Sequence, residues 1–118
     1  MGFGLPAAMG AAAAKPNNEI WCVTGDGSFQ MNLQELVTCV QENYPIKILL
    51  LDNNYLGMVR QWQEAFYAKN YSGVELLNPD FVKLAEACGV KGIRATNFEE
   101  LDKAVKDAKA HDLSLIHI

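Results

Sequence analysis

Asp26 lies between two glycines, Gly25 and Gly27, at the end of the apolar run Ile20 to Val23. A second apolar run, Ile46 to Leu51, ends in Asp52-Asn53-Asn54. If the two runs are neighbouring parallel strands, their carboxyl ends set Asp26 beside Asn53, although 27 positions separate them. A carboxylate and an amide oxygen are the hard oxygen donors that magnesium takes, with phosphate and water completing its octahedron. The Tyr55 carbonyl is placed to close the loop around such an ion. Gly27 and Ser28 offer backbone N–H groups, and Ser28 its hydroxyl, to a diphosphate. A glycine at 27 also allows the backbone to approach a ligand that a side chain would hold off. Asp26 taken alone is equally well read as a turn former. Its pairing with the second strand end favours a magnesium diphosphate site.

The elements that must position these groups read as alternating helices and strands. Pro6 suits a first helical turn and Ala7 to Ala14 are strong helix formers, with Pro16-Asn17-Asn18 as the stop. A strand over Glu19 to Thr24 enters the Gly-Asp-Gly turn, and a helix follows over Asn32 to Glu42, its Leu33, Leu36, Val37 and Val40 on one stripe. Tyr44-Pro45 breaks it before a strand over Lys47 to Leu51, whose near-continuous Ile/Leu content suits cover on both faces. Met58, Trp62, Ala65 and Phe66 recur at helical spacing, and Asn70 to Gly73 reads as a loop. Asn78-Pro79-Asp80 caps a helix to Cys88, closed by Gly89. A strand over Val90 to Ala95, a last helix capped by Thr96 or Asn97, and a strand over Leu113 to Ile118 complete the series. The expectation is an α/β three-layer sandwich with a mostly parallel sheet, whose ligands bind beyond the carboxyl ends of the strands.

At 118 residues and 50% hydrophobic, the chain is one domain or part of one, with a proper core. Its net charge of −4 carries no basic stripe, which argues against a nucleic-acid or membrane-surface partner. Cys22, Cys39 and Cys88 lack metal spacing and read as buried free thiols. Nothing resembles a signal peptide, and the reading is cytoplasmic. Both ends look cut: the first residues begin on a loop-to-helix junction and the last stop inside a strand. The expectation is therefore a single incomplete domain over residues 1–118.

Gly25-Asp26-Gly27 followed by Asn53 resembles the motif of thiamine diphosphate enzymes. Met1-Gly-Phe-Gly-Leu-Pro-Ala-Ala, Gly25-Asp-Gly-Ser-Phe-Gln-Met-Asn-Leu-Gln-Glu-Leu and Leu56-Gly-Met-Val-Arg-Gln-Trp-Gln-Glu are similar to the acetolactate synthase (acetohydroxyacid synthase) large-subunit family, from Met1 to about Asp112. The resemblance implies a truncated thiamine diphosphate-binding fold, the C-terminal domain of such a subunit. It assigns magnesium to Asp26, Asn53 and the Tyr55 carbonyl. Met1, Gly25, Gly27, Ser28, Gly57, Met58 and Val59 would border the cofactor, and Met58, Val59 and Trp62 the substrate pocket. Read without the family, Met58, Trp62 and Phe66 form a core stripe. The implied reaction is decarboxylation of pyruvate and carboligation to a second 2-ketoacid, pyruvate or 2-ketobutyrate. The activating glutamate would come from another domain, so no catalytic residue is assigned here, and FAD would belong to the full-length protein. A homodimer or tetramer and a small regulatory subunit are the implied partners. The segment Leu113 to Ile118 departs from the Gly-Pro-plus-apolar strand of the family.

Other readings compete. Pyruvate oxidase and glyoxylate carboligase types share the cofactor motif. Gly2-Phe-Gly4-Leu-Pro-Ala7 fits the dinucleotide fingerprint G-x-G-x-x-A, with Asp26 downstream as the acidic residue, but that fingerprint needs a strand before it. A receiver-like acidic pocket of Asp26 and Asp52 would need a lysine at a later strand end.

Overall fold

Leucine and isoleucine fill every position of the second strand except Lys47, and the pleat sends alternate residues to opposite faces. Ile46, Ile48 and Leu50 are fully buried on one face, whereas Leu51 on the other is exposed. The computed structural model describes residues 1–118. In chain order the elements are α1 (Gly4–Ala14), β1 (Ile20–Gly25), α2 (Asp26–Gln30), α3 (Glu35–Gln41), β2 (Ile46–Leu51), α4 (Gly57–Phe66), α5 (Phe81–Ala87), β3 (Lys91–Arg94), α6 (Phe98–Lys109) and β4 (Ser114–His117). The sheet runs β1-β2-β4-β3 with every pairing parallel, as the alternation of elements implies.

That strand order dictates the layers. From β1 through β2 to β3 the chain advances across the sheet, and from β3 to β4 it steps back. Right-handed crossovers in opposite directions place their helices on opposite faces. Accordingly α1, α2, α3 and α5 build the larger core with Cys22, Ile48, Leu50 and Leu115, where Phe29 meets Phe81 edge-on at 5.8 Å. Only α6 covers the other face, setting Ala104 and Ala108 against Ala95 and Ile116. It lies over β3 and β4. Val23 of β1 and Leu51 of β2 are therefore left open, and the expected two-sided cover of β2 is incomplete.

Local chemistry explains the helix starts. Asp80 caps α5 by accepting from the Val82 and Lys83 N–H groups. Asn97, rather than Thr96, caps α6; Glu100 reaches back to the Thr96 N–H at 2.8 Å, and Lys106 and Lys109 close the last turn. At Gly92 a β-carbon would come within 2.8 Å of the Val82 carbonyl oxygen, so α5 packs directly on the backbone of β3. Two expectations need correction. Gly25-Asp26-Gly27 is not a free turn, because α2 begins at Asp26 itself. The single helix expected over Asn32 to Glu42 starts only at Glu35, since residues 31–34 form tight i to i+3 turns and the Asn32 side chain turns away to the Gly2 carbonyl.

Candidate functional site

Gly25 pairs with Leu51 in the parallel register of β1 and β2, so the residues that follow, Asp26 and Asp52, emerge together at the carboxyl edge of the sheet. Beyond them opens a cavity of about 320 Å³. Its wall is made by Gly25, Asp26, Gly27 and Ser28 from the first strand end, by Asn53, Tyr55, Gly57, Met58 and Val59 from the second, and by Met1. Leu51 and Leu56 complete it. Ten residues singled out in the sequence thus meet around one opening, the position expected of a ligand site in such a sheet.

Asp26 is 2% exposed and held by three donors. Its Oδ1 accepts from the Gly27 N–H at 2.9 Å. Its Oδ2 accepts from the Asn54 N–H at 2.9 Å and from Asn78 Nδ2 at 2.7 Å. Each carboxylate oxygen has about two lone-pair sites, so Oδ2 is filled and Oδ1 keeps one open. The Asn53 amide oxygen accepts from the Tyr55 N–H at 3.0 Å, which folds the loop back on itself. Tyr55 pairs with Glu75 in an antiparallel bridge, where the strand-like bonds run through the neighbouring Leu56 and Asn54. The Tyr55 carbonyl oxygen accepts no hydrogen bond. The Ser28 hydroxyl oxygen accepts from the Gly2 N–H at 3.0 Å, which leaves its own proton to donate. These are oxygen donors with a hydroxyl beside them, the chemistry a hard divalent cation and a phosphate ask for.

Gly27 is a correction. Its N–H is taken by Asp26, and a β-carbon there would come within 2.8 Å of Leu56 Cδ2 and 2.9 Å of Leu76 Cδ1. The space where its side chain would lie is filled by two leucines of this chain, so glycine is needed for packing rather than for ligand approach. A β-carbon at Gly2 would meet the Asn32 side chain at 2.6 Å, whereas at Gly4 it would make only an ordinary contact with Cys22 at 3.4 Å. Neither opens a phosphate cradle of the dinucleotide kind.

Trp62 does not line the cavity. It is 58% exposed, its ring tilted by 43° against Phe66 at 5.1 Å, and α4 buries none of its residues. The stripe of Met58, Trp62 and Phe66 is therefore an open surface and no part of this chain's core. Arg60 lies on the same helix, over the Tyr55 ring at 4.0 Å.

Two site residues escaped the sequence. Asn54 adopts φ 59°, a left-handed conformation that asparagine tolerates, and this aims its N–H at both Asp26 and Asp52. Asn78 stands at the centre of the carboxylates: its Nδ2 also donates to Asp52 Oδ1 at 2.7 Å, and its Oδ1 accepts from Gln30 Nε2 at 2.6 Å. Its place before Pro79 and the Asp80 cap marks only a helix start, and nothing local signals a partner 52 residues away. Partial burial pushes the Asp52 carboxyl up, but hydrogen bonds from His117, the Asn54 N–H and Asn78 outweigh it and hold the group below its ordinary value. His117 Nε2 lies 2.9 Å from Asp52 Oδ2, with the ring edge-on to Phe81 and its buried Nδ1 without a partner.

The comparisons bear on the family and the fold. The family model described as "Thiamine pyrophosphate enzyme, C-terminal TPP binding domain" matches residues 1–118. Over 115 residues the chain is 50% identical to "Acetolactate synthase" of Mycobacterium bovis, covering 93% of this chain and 19% of the relative. It is 53% identical over 107 residues to "Acetolactate synthase catalytic subunit, mitochondrial" of Saccharomyces cerevisiae, covering 91% and 16%. With the Escherichia coli K12 "Acetolactate synthase isozyme 2 large subunit" the identity is 52% over 106 residues, covering 89% and 19%. The chain thus spans less than a fifth of the length of these relatives. Among solved structures, the thiamine diphosphate-dependent 4-hydroxybenzoylformate decarboxylase of Rhodococcus jostii RHA1 matches with a TM-score of 0.93 and 34% identity, over 100% of this chain and 23% of that one. With the family model matched from the first residue to the last on a fold this similar, the chain belongs to the C-terminal TPP-binding domains of the thiamine pyrophosphate enzymes.

Proposed function

We propose that this chain is the diphosphate- and magnesium-binding part of an acetolactate synthase catalytic subunit. The observation that carries the reading is the meeting of both strand-end motifs on one cavity, in a chain about half identical to acetolactate synthases over most of its length. The identity of 50–53% to acetolactate synthases, against 34% to that decarboxylase, favours the synthase over a decarboxylase of that kind.

The residues present fit the group. Asp26 through Oδ1, Asn53 through its amide oxygen and Tyr55 through its unpartnered carbonyl would hold Mg2+, and the Ser28 hydroxyl would donate to the diphosphate. Magnesium would keep the remaining places for phosphate oxygens and water. Gly25 and Gly27 would border the diphosphate, and Met1, Gly57, Met58 and Val59, which line the same cavity, would supply the wall for the cofactor. Thiamine diphosphate supplies the carbanion stabilisation that decarboxylation of a 2-ketoacid requires, and the protein orients it. Met58, Val59 and Leu56 would present an apolar wall to the cofactor once other parts of the protein cover the exposed face of α4. Trp62, exposed on the outer face of α4, would border the second-substrate pocket once other parts of the protein cover that face.

Pyruvate and 2-ketobutyrate are the substrates, in a homodimer or tetramer with FAD and a small regulatory subunit. Residues 1–118 are an incomplete domain of that protein, and the free thiols Cys22, Cys39 and Cys88 suit a reducing, cytoplasmic setting. The test is acetolactate formation from pyruvate by the full-length protein with thiamine diphosphate and Mg2+, compared with Asp26→Ala. Activity that requires both additions and vanishes in the variant is expected. A full-length protein that decarboxylates pyruvate without forming acetolactate would overturn the synthase reading.

A further inference from the structure

The Tyr55 carbonyl is aimed by a bond that the same peptide makes on its other side. A peptide unit is planar and trans, so its N–H and C=O point in opposite directions. The Leu56 N–H donates to the Val74 carbonyl at 2.8 Å, and the Leu76 N–H to the Asn54 carbonyl at 2.9 Å. Val74 is 1% exposed, and its place fixes where the Tyr55 oxygen points. This pairing is one isolated bridge, Tyr55 with Glu75, too short to hold by itself. The chain reaches it by reversing after α4 through Ala68 and Lys69, at φ 49° and 61°. That left-handed conformation is costly for residues with a side chain, so the return needs contacts that keep it.

Two residues of α4 supply them. Arg60 and Gln63 stand three positions apart and so are neighbours on the helix surface. Gln63 bonds the Ser72 backbone twice: its Nε2 donates to the carbonyl at 2.9 Å, and its Oε1 accepts from the N–H at 3.2 Å. The Arg60 guanidinium meets rings rather than a carboxylate, 4.0 Å from the centre of Tyr55 and 5.0 Å from that of Tyr71. A cation over an aromatic face is attracted by the negative charge of the ring's quadrupole. Arg60 thus joins the residue whose carbonyl faces the cation site to the segment that aims it.

We propose that Arg60, together with Gln63, is the positioning residue that clamps residues 71–76 onto the loop 53–56 and so directs the Tyr55 carbonyl at the cation. This rests on the reading of Tyr55 as a magnesium ligand given above. Arg60 does not line the cavity, and it acts only through the Tyr55 ring and the clamped segment.

The experiment uses the full-length protein carrying this chain. Two quantities are read: the Mg2+ concentration for half-maximal thiamine diphosphate binding, and hydrogen exchange over residues 53–57 and 71–76 in the cofactor-free protein. Arg60→Ala should raise the Mg2+ midpoint about 5–20-fold, the range for two ring contacts, and speed exchange of the Leu56 and Leu76 amides. Arg60→Lys, which keeps a cation without the flat guanidinium, should recover part of both. Gln63→Met should raise the midpoint about 3–10-fold, the range for lost hydrogen bonds. Tyr71→Leu should act in the same direction, and it and Gln63→Met carry the test if Arg60→Ala does not fold. Because each change opens one clamp, combining Arg60→Ala with Gln63→Met should shift the midpoint by less than the product of the single effects. Folded variants with an unchanged Mg2+ midpoint, or with amide exchange as slow as in the parent, overturn the proposal and leave the Tyr55 and Asp26 assignments standing. A parent that binds thiamine diphosphate equally well without a divalent cation removes those assignments, and the proposal with them.

Discussion

Asp26 Oδ2 and Asp52 Oδ1 accept hydrogen bonds from the same two nitrogens, Asn78 Nδ2 and the Asn54 N–H. Two carboxylates at adjacent strand ends would repel each other without a shared donor. The shared amide and N–H make them a cross-brace that joins β1, β2 and the loop before α5. Asp26, which lines the cavity, is thereby fixed by Asn54 and Asn78, which do not line it.

The depressed Asp52 carboxyl gives this brace a pH dependence. Hydrogen bonds hold Asp52 below its ordinary value of 3.8 in the folded chain, so the stability it lends is present at neutral pH and lost as the pH falls through the folded value. Urea unfolding should show a decline below about pH 4, the unfolded carboxyl range. Asp52→Asn should be less stable at pH 7 and should show a shallower acid decline. Parallel acid limbs for the two proteins would contradict this.

Cys39 sets the opposite limit. Burial, with Glu35 and Cys22 adding to it, pushes its thiol from 9.0 up to about 11. A raised value stabilises the fold fully below the unfolded value and loses that contribution as the pH rises through the folded one. Each tenfold change in proton affinity is worth roughly 1.4 kcal/mol, so the chain should lose about 2–3 kcal/mol between about pH 9 and pH 11. Cys39→Ala should flatten that slope. An alkaline decline of equal size in the variant would remove Cys39 as its cause.

Gly27 separates two explanations for a glycine beside a ligand site. Because its missing side chain is replaced by Leu56 and Leu76, Gly27→Ala should push Leu56 into the cavity and weaken thiamine diphosphate binding. Adding Leu76→Ala should restore binding in part by giving the new methyl room. No rescue would mean that the ligand itself needs the bare backbone.

Gly92 tests the seating of α5. A methyl there would strike the Val82 carbonyl oxygen at 2.8 Å and Val82 Cα at 3.1 Å, backbone atoms that cannot swing aside. Gly92→Ala should cost about 1–3 kcal/mol in urea unfolding, the range for overpacking. Wild-type stability in the variant would show that α5 can shift freely.

Much of this was legible in the sequence, and the exceptions have physical causes. The apolar runs ending at Val23 and Leu51 mark the strands, and the register then brings Asp26 beside the second loop without further information. Asn78 was not legible, because its partnership with Asp26 spans 52 residues and depends on where the loop before α5 folds. The early start of α2 was hidden by Gly25 and Gly27, which read as a turn although their neighbours are packed as a helix. The stripe of Met58, Trp62 and Phe66 looks the same in sequence whether it faces its own core or an open surface, and only the structure shows it open.

The most direct test is the position of the metal in crystals of the full-length protein grown with thiamine diphosphate and Mn2+ in place of Mg2+. An anomalous peak is predicted within about 2.0–2.3 Å of an Asp26 carboxylate oxygen, the Asn53 amide oxygen and the Tyr55 carbonyl, bridged to the diphosphate. A cofactor bound with its diphosphate away from these three residues, or a metal held elsewhere, would contradict the account.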